Sequence, residues 1–249
     1  MPGLLIINAD DFGGNRLATD RIAECFASGG ITSTSAMVYM SDSERAAEIG
    51  RSRGLAVGLH LNVTQELEDP AAPLPVRERQ ARLARYFAGR RLRRFTFNPV
   101  MSACARRCVE DQLERFRQLF GGDPSHIDGH NHAHLSPTVL MALPKGMPVR
   151  TGQSGGGDGG RDGLTALLRR SRHALIARRQ TTTDYFYGID RLGPTPTDES
   201  IEDLLRLADR GSAEIMVHPD RDRDFAILTS AGWRRALQGR RLGSFRDLG

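Results

Sequence analysis

The residues best able to do chemistry fall in four blocks: Asp10-Asp11, His60, a run of His126, Asp128, His130, His132 and His134, and His218. Carboxylates and neutral imidazoles together form the N/O donor set that suits zinc and similar divalent cations. A catalytic centre of that kind needs three protein ligands and an open position for water. Two adjacent carboxylates repel one another unless a cation neutralises one and leaves the other free as a base.

These blocks need strands to deliver them. Short apolar or alternating runs predict strands over residues 4–9, 35–40, 55–63 and 126–130, with further strands at 147–151, 185–189 and 214–218. Helical spacing predicts helices over 15–28, 43–53, 103–120, 164–179 and 200–210. Glycines at 29–30, 54 and 121–122 stop the first three. This rhythm implies a parallel sheet with helices outside it. At 249 residues the expected fold is α/β, an irregular (β/α) TIM-like barrel in a single domain over 1–249, with an open doubly wound sheet as the alternative. In such folds ligands bind beyond the carboxyl ends of the strands, where all four blocks fall.

Geometry limits which residues can share one ion. In an extended strand, residues 126, 128, 130, 132 and 134 would face one side, with the first and last about 26 Å apart. The strand starts after the turn residues 121–124, so His130 near its carboxyl end is the expected ligand and His132 its neighbour. His126 and Asp128 would lie deeper, orienting ligands or filling the barrel. His132 would line the site or support a ligand, and His134 would lie past the strand end. Asp10 and Asp11 face opposite ways in a regular strand, so both serve one site only if the chain bends. Phe12-Gly13-Gly14 makes such a bend plausible.

Composition narrows the class. The formal charge is +5, and Lys145 is the lone lysine among 35 basic residues. That bias can reflect codon usage, so it is weak evidence for nucleic acid, and no nucleic-acid motif accompanies it. No early apolar run reaches the length of a signal core or a membrane span, which favours a cytoplasmic protein. Cys25, Cys104 and Cys108 are too few and odd in number for a disulfide framework. Residues 70–94, Pro-rich and then arginine-rich, and the Gly-rich 151–163 interrupt the rhythm and are expected to be variable loops or lids. Gly155, Gly157 and Gly160 match G-x-G-x-x-G, a match expected by chance in so glycine-rich a run. Arg150 ends a predicted strand and would touch substrate or form a surface ion pair; His173 would be solvated on a helix.

The blocks in their local sequence resemble a known family. Asn8-Ala9-Asp10-Asp11-Phe12-Gly13, Gly58-Leu59-His60-Leu61-Asn62, the stretch from His126 to His134, and Val217-His218-Pro219 are similar to the YdjC family of carbohydrate deacetylases, in family order, from residue 4 to about 220. The resemblance implies an irregular (β/α) barrel holding one divalent ion, zinc or magnesium. It implies hydrolysis of an N-acetyl group on an amino sugar, and a homodimer. Carried over by position, Asp11, His60 and His130 would hold the metal, Asp10 would be the general base and His218 the general acid. The assignment between Asp10 and Asp11 comes from the family alone. Two other functions fit the residues: a different metal-dependent hydrolase, such as a phosphoesterase or amidase, and a non-catalytic sugar-binding homologue.

Overall fold

The computed structural model describes residues 3–152, 174 and 176–248. Among the described residues six parallel strands make one sheet: β1 (Leu5–Phe12), β2 (Ser33–Ala36), β3 (Val57–Leu61), β4 (Ile127–Gly129), β5 (Tyr185–Gly188) and β6 (Ala213–Val217). Their spatial order is β4-β3-β2-β1-β6-β5. Around a circle that is chain order, with one seam between β4 and β5. Of the expected irregular TIM-like barrel, the described residues show a six-stranded half-barrel sheet flanked by helices. At the seam, Ile127 pairs with Val149 by a single parallel bridge, and Val149 N–H donates to Thr181 O at 2.9 Å. Residues 147–151 were expected to form a full strand. Pro148 lacks the N–H that a longer ladder needs.

Helices cover the outer face of the sheet. They are α1 (Arg16–Ala27), α2 (Ser43–Arg53), α3 (Leu74–Gly89), α4 (Pro99–Phe120), α5 (Pro137–Leu140), α6 (Asp198–Leu205), α7 (Asp222–Leu228) and α8 (Ala231–Leu237). The caps follow the local sequence. Asn15 accepts the Ala18 N–H ahead of α1, Asn98 accepts those of Val100 and Met101 ahead of α4, and Gly54 and Gly121 close α2 and α4 in the left-handed region. One expectation is corrected here: most of 70–94 is helix α3, not a loop. Val76, Gln80, Leu83, Ala84 and Phe87 recur at helical spacing and are buried. The segment expected as a loop beyond Gly152, the motif-like glycines 155, 157 and 160, His173 and most of the helix expected over 164–179 lie outside the described residues. Cys25 and Cys108 are buried free thiols and Cys104 is half-buried.

Strand alternation sorts the core. On β1, Leu5, Ile7 and Ala9 join the large apolar cluster under the helices. Leu4 and Ile6 face the concave side, where Phe245 plugs the lower end. Asn8 and Asp10 continue that inner face upward, so it turns from apolar to polar toward the strand ends. On β3 the inner residues are Gly58 and His60. Gly58 lacks a side chain because the His126 ring lies where one would go: an added Cβ would sit 2.2 Å from His126 Cε1. Gly58→Ala is expected to cost about 1–3 kcal/mol through overpacking. A lowered urea midpoint with an unchanged m value would register it.

Candidate active site

Two departures from regular strand geometry build the site. Asp11 would face the helices if β1 stayed regular. Instead its φ is 70°, and the β1–β2 register shifts between Ala9 and Phe12. The bulge swings Asp11 over the sheet edge, next to the pocket that Asp10 faces. Gly13, at φ 81°, makes the turn that follows. The second departure is after β4. The strand stops at Gly129, and Asn131 and His132 both have φ 55° within a 3-10 turn over His130–Leu135. The histidines beyond 129 therefore fan out rather than sharing one face.

The result is a pocket of about 270 Å³ at the carboxyl ends of the strands, lined by Asp10, Asp11, His60, His130, His132 and His218 among others. A larger cleft of about 420 Å³ opens by Gly3 and Leu5, where β1 begins. Arginines and acids rim it, and Arg240 there is already paired with Glu202. The smaller pocket holds the chemistry.

His60 and His130 converge on Asp11. His60 Nε2 and His130 Nδ1 each lie 3.2 Å from Asp11 Oδ1. The other nitrogen of His60 is committed: Nδ1 lies 2.8 Å from Asp128 Oδ1 and donates to it. Ser35 Oγ holds that carboxylate in turn, donating to Asp128 Oδ2 at 2.8 Å. A histidine with its Nδ1 proton given to a carboxylate presents Nε2 as a bare lone pair. Here that lone pair faces the Asp11 carboxylate, which is repulsive unless a proton or a cation sits between them. Burial pushes the His60 pKa down, but Asp128, Asp10 and Asp11 outweigh it and hold it well above the ordinary value. Asp11 answers in kind: burial raises it, and His60 and His130 hold it well below the usual carboxylate range.

The donor atoms of Asp11, His60 and His130 all lie within 4.8 Å of one another. Two imidazoles and one carboxylate are a catalytic metal donor set with a position left open to the pocket. These residues fit a divalent cation. Asp10, His60 and Asp128 also cluster within that distance, but Arg150 already occupies both carboxylates, so a cation there would have to displace an arginine. In the Asp11 site the cation takes the place of the Nε2 proton. Uptake is therefore expected to release a proton, and affinity is expected to weaken as pH falls and His60 holds its proton. Calorimetry of zinc binding in buffers of different ionisation enthalpy would measure both.

Arg150 is where the structure departs furthest from expectation. It is neither at the surface nor open to substrate, being fully buried. Its guanidinium donates to Asp10 Oδ2 and Oδ1 at 2.7 and 2.6 Å and to Glu214 Oε1 at 2.8 Å, and it lies 2.8 Å from Asp128 Oδ2. Burial raises the Asp10 pKa and Arg150 lowers it, and the balance leaves Asp10 ionised below its ordinary value. Three carboxylates around one arginine leave excess negative charge. Glu214 absorbs part of it: burial pushes its pKa up to about 7 against the pull of Arg150, and its Oε2 has no partner among the described residues.

The remaining histidines are sorted by the fold. His218 follows β6, with its backbone N–H held by Asp224 Oδ2 at 3.1 Å. Its Nε2 lies 4.0 Å from both Asp10 Oδ2 and Asp11 Oδ2, across the pocket from His60. His132 lines the pocket, edge-on to Phe186. His126 stacks on Phe245 with centroids 3.9 Å apart and is kept neutral by burial, its Nε2 3.8 Å from Asp128 Oδ2. His134 lies past the strand end, as expected, and is buried there. Its Nε2–H donates to Arg150 O at 3.1 Å, and burial pushes its pKa down to about 3. The sequence reading missed Glu214, Ser35 and Asn8, whose Nδ2 donates to Asp10 Oδ1 at 3.0 Å. A polar residue at an inward strand position was the available signal. Asp220 also lines the pocket, with its Oδ1 unpartnered among the described residues.

Comparison with known proteins gives the family. The profile of the YdjC-like protein family matches residues 4–239. The chain belongs to the YdjC-like family. Over its whole length it is 31% identical to a chitooligosaccharide deacetylase from Enterobacter sp. (strain 638), also covered in full. Among solved structures it is similar to an Enterococcus faecalis V583 protein provisionally named for cellobiose-phosphate cleavage, with a TM-score of 0.72, 22% identity and full coverage of both chains. It is similar also to a family 4 acetyl xylan esterase from Clostridium thermocellum, in complex with a cobalt ion. That TM-score is 0.54 at 13% identity, covering 98% of this chain and 89% of the esterase. The two structures share the fold.

Proposed function

We propose that this YdjC-like protein is a metal-dependent carbohydrate deacetylase. On this reading it hydrolyses an N-acetyl group on an amino sugar such as a chitooligosaccharide, within an irregular barrel. One observation carries the reading: His60 Nε2 and His130 Nδ1 both meet Asp11 Oδ1 at 3.2 Å, at the carboxyl ends of the strands. The family membership and the full-length likeness to a chitooligosaccharide deacetylase support the substrate class. The donor set suits zinc on ligand softness, and magnesium is the other ion the family resemblance admits.

Asp11, His60 and His130 would hold the cation. When bound, a divalent ion supplies a Lewis acid for the amide carbonyl and lowers the pKa of a water toward about 7. Asp10 takes the proton of the attacking water. Arg150 keeps that carboxylate ionised and fixed in orientation, so it acts through Asp10 rather than on substrate. His218, on the far side of the pocket, protonates the amine as the C–N bond breaks, giving acetate and a free amino sugar. His132 and Asp220 line the remaining space, where the sugar would sit.

A His218→Ala chain tests the division of labour. It is expected to bind metal normally and to release acetate about 10²–10⁴-fold more slowly, the range for loss of a general acid. Wild-type acetate release from this variant would overturn the assignment. Release of phosphate rather than acetate by the wild-type chain, from matched substrates, would replace the reaction class itself.

A further inference from the structure

Residues 92–100 leave several apolar side chains exposed: Leu92, Phe97 and Val100 are 71%, 51% and 73% exposed. The segment is tied to α5, where Thr138 Oγ1 accepts from Asn98 N–H at 3.0 Å and donates to Thr96 O at 3.3 Å, and Met141, just after α5, is 43% exposed. Single exposed apolar residues are ordinary, but several within nine residues mark an interaction surface. Its border is basic. Arg93 folds the segment back onto α3, donating to Tyr86 O at 2.8 Å and covering the Tyr86 ring at 5.0 Å. The outer face of α3 and its end carry Arg82, Arg85 and Arg90. All three are exposed and, among the described residues, have no acidic partner. Arg79, by contrast, is paired with Asp111. Arg94 Nη1 reaches Asn131 O at 3.4 Å, and Asn131 lines the candidate active site. The patch therefore borders the pocket mouth.

We propose that this face is a peripheral docking surface for an anionic lipid bilayer, and that docking brings the pocket mouth to the membrane. An anionic bilayer satisfies both halves of the patch at once: arginines at headgroup depth, and Leu, Phe, Val and Met at the acyl boundary. The other occupants fit less well. A second copy in a symmetric contact would bring the exposed Arg82, Arg85 and Arg90, which have no acidic partner among the described residues, toward three more. A nucleic acid would use the arginines but has no counterpart for the aliphatic Leu92, Val100 and Met141, which give bases no stacking surface. Among the described residues no helix is long and apolar enough to cross a membrane, so the attachment is peripheral. This docking does not depend on which bond the pocket hydrolyses.

Flotation of the full chain with phosphatidylglycerol/phosphatidylcholine vesicles tests it, with pure phosphatidylcholine vesicles beside them. The wild-type chain is expected to float with the anionic vesicles at low salt and to be released steeply as salt rises. The triple variant Arg82→Gln, Arg85→Gln, Arg90→Gln should bind roughly 100-fold more weakly. The variant Leu92→Ser, Phe97→Ser, Val100→Ser should lose at least about tenfold, with far-UV circular dichroism unchanged in both. Absence of binding by the wild-type chain overturns the proposal without reference to any variant. Binding that both folded variants retain overturns it too. A dimer dissolved by the apolar variant, without vesicle binding, would assign the face to a second copy. Retention on single-stranded RNA without vesicle binding would assign it to nucleic acid.

Discussion

Asp11→Ala and His60→Ala chains are expected to lose about 10³-fold or more in acetate release, and to lose stoichiometric divalent metal with it. A bound cation supplies several kcal/mol of transition-state stabilisation, which corresponds to at least three orders of magnitude in rate. The two substitutions act differently on the same centre. Asp11→Ala removes the anionic donor and leaves the lone pair of His60 facing an empty pocket. His60→Ala removes a donor and also strands Asp128, whose Oδ1 otherwise accepts the Nδ1 proton at 2.8 Å. His60→Ala should therefore lower stability as well. Asp128→Asn should fall between the wild type and these variants, at about 10–100-fold weaker metal binding, because it loosens the ring without removing a ligand. Metal content by mass spectrometry alongside turnover separates the roles. Full activity in both alanine variants, with metal still bound, would show that the three side chains are not the ligands.

Arg150→Met should be among the most destabilising single changes in the chain. The arginine is one buried cation against Asp10, Asp128 and Glu214, held by contacts of 2.6–2.8 Å. Removing it leaves buried carboxylates uncompensated, at a cost of about 3–5 kcal/mol. That is a large share of the 5–15 kcal/mol or so that holds a typical domain together. The pH dependence gives a sharper readout. In the wild type, Asp10 and Asp128 are depressed below their ordinary value of 3.8. Their contribution is present above that value and is lost as pH falls through the depressed pKa values. Without Arg150 burial dominates and their pKa values rise. The contribution then reverses: the variant is relatively most stable in acid and weakens as pH climbs above about 4. Urea unfolding at pH 4 and pH 8 would show the crossing. Arg150→Lys keeps the charge but not the planar fork that grips both Asp10 oxygens, so it should recover stability only in part. A stability–pH curve for Arg150→Met parallel to that of the wild type would contradict the buried network.

The strand ends were legible because β-strands leave a period in the sequence, and the polar residues closing each run stood out against it. Asp10-Asp11, His60, His130 and His218 were found that way and do meet in one pocket. Local spacing could not say how Asp10 and Asp11 share it. The bulge and the positive φ at Asp11 break the alternation on which such reasoning rests. The same failure hid His134. Two successive residues at φ 55° turn the chain inward, so His134, expected only to lie past the strand end, ends on the carbonyl of Arg150. Arg150 and Glu214 were misread or missed for another reason. Their pairing joins positions 64 residues apart in the chain, and Arg150 lies 140 residues from Asp10. Only the closing of the sheet brings such distant residues together. In the 70–94 segment, proline and arginine density suggested a loop. The apolar spacing from Val76 to Phe87 was the stronger signal, because burial of that stripe outweighs the composition around it.

The most direct test is acetate release from N-acetylated amino sugars, from the monomer to chitooligosaccharides, by chain stripped with EDTA and by the same chain after one equivalent of zinc or magnesium. The stripped chain should be silent, and reconstitution should restore acetate release with at least one substrate. Equal acetate release with and without metal would contradict a catalytic centre built on Asp11, His60 and His130.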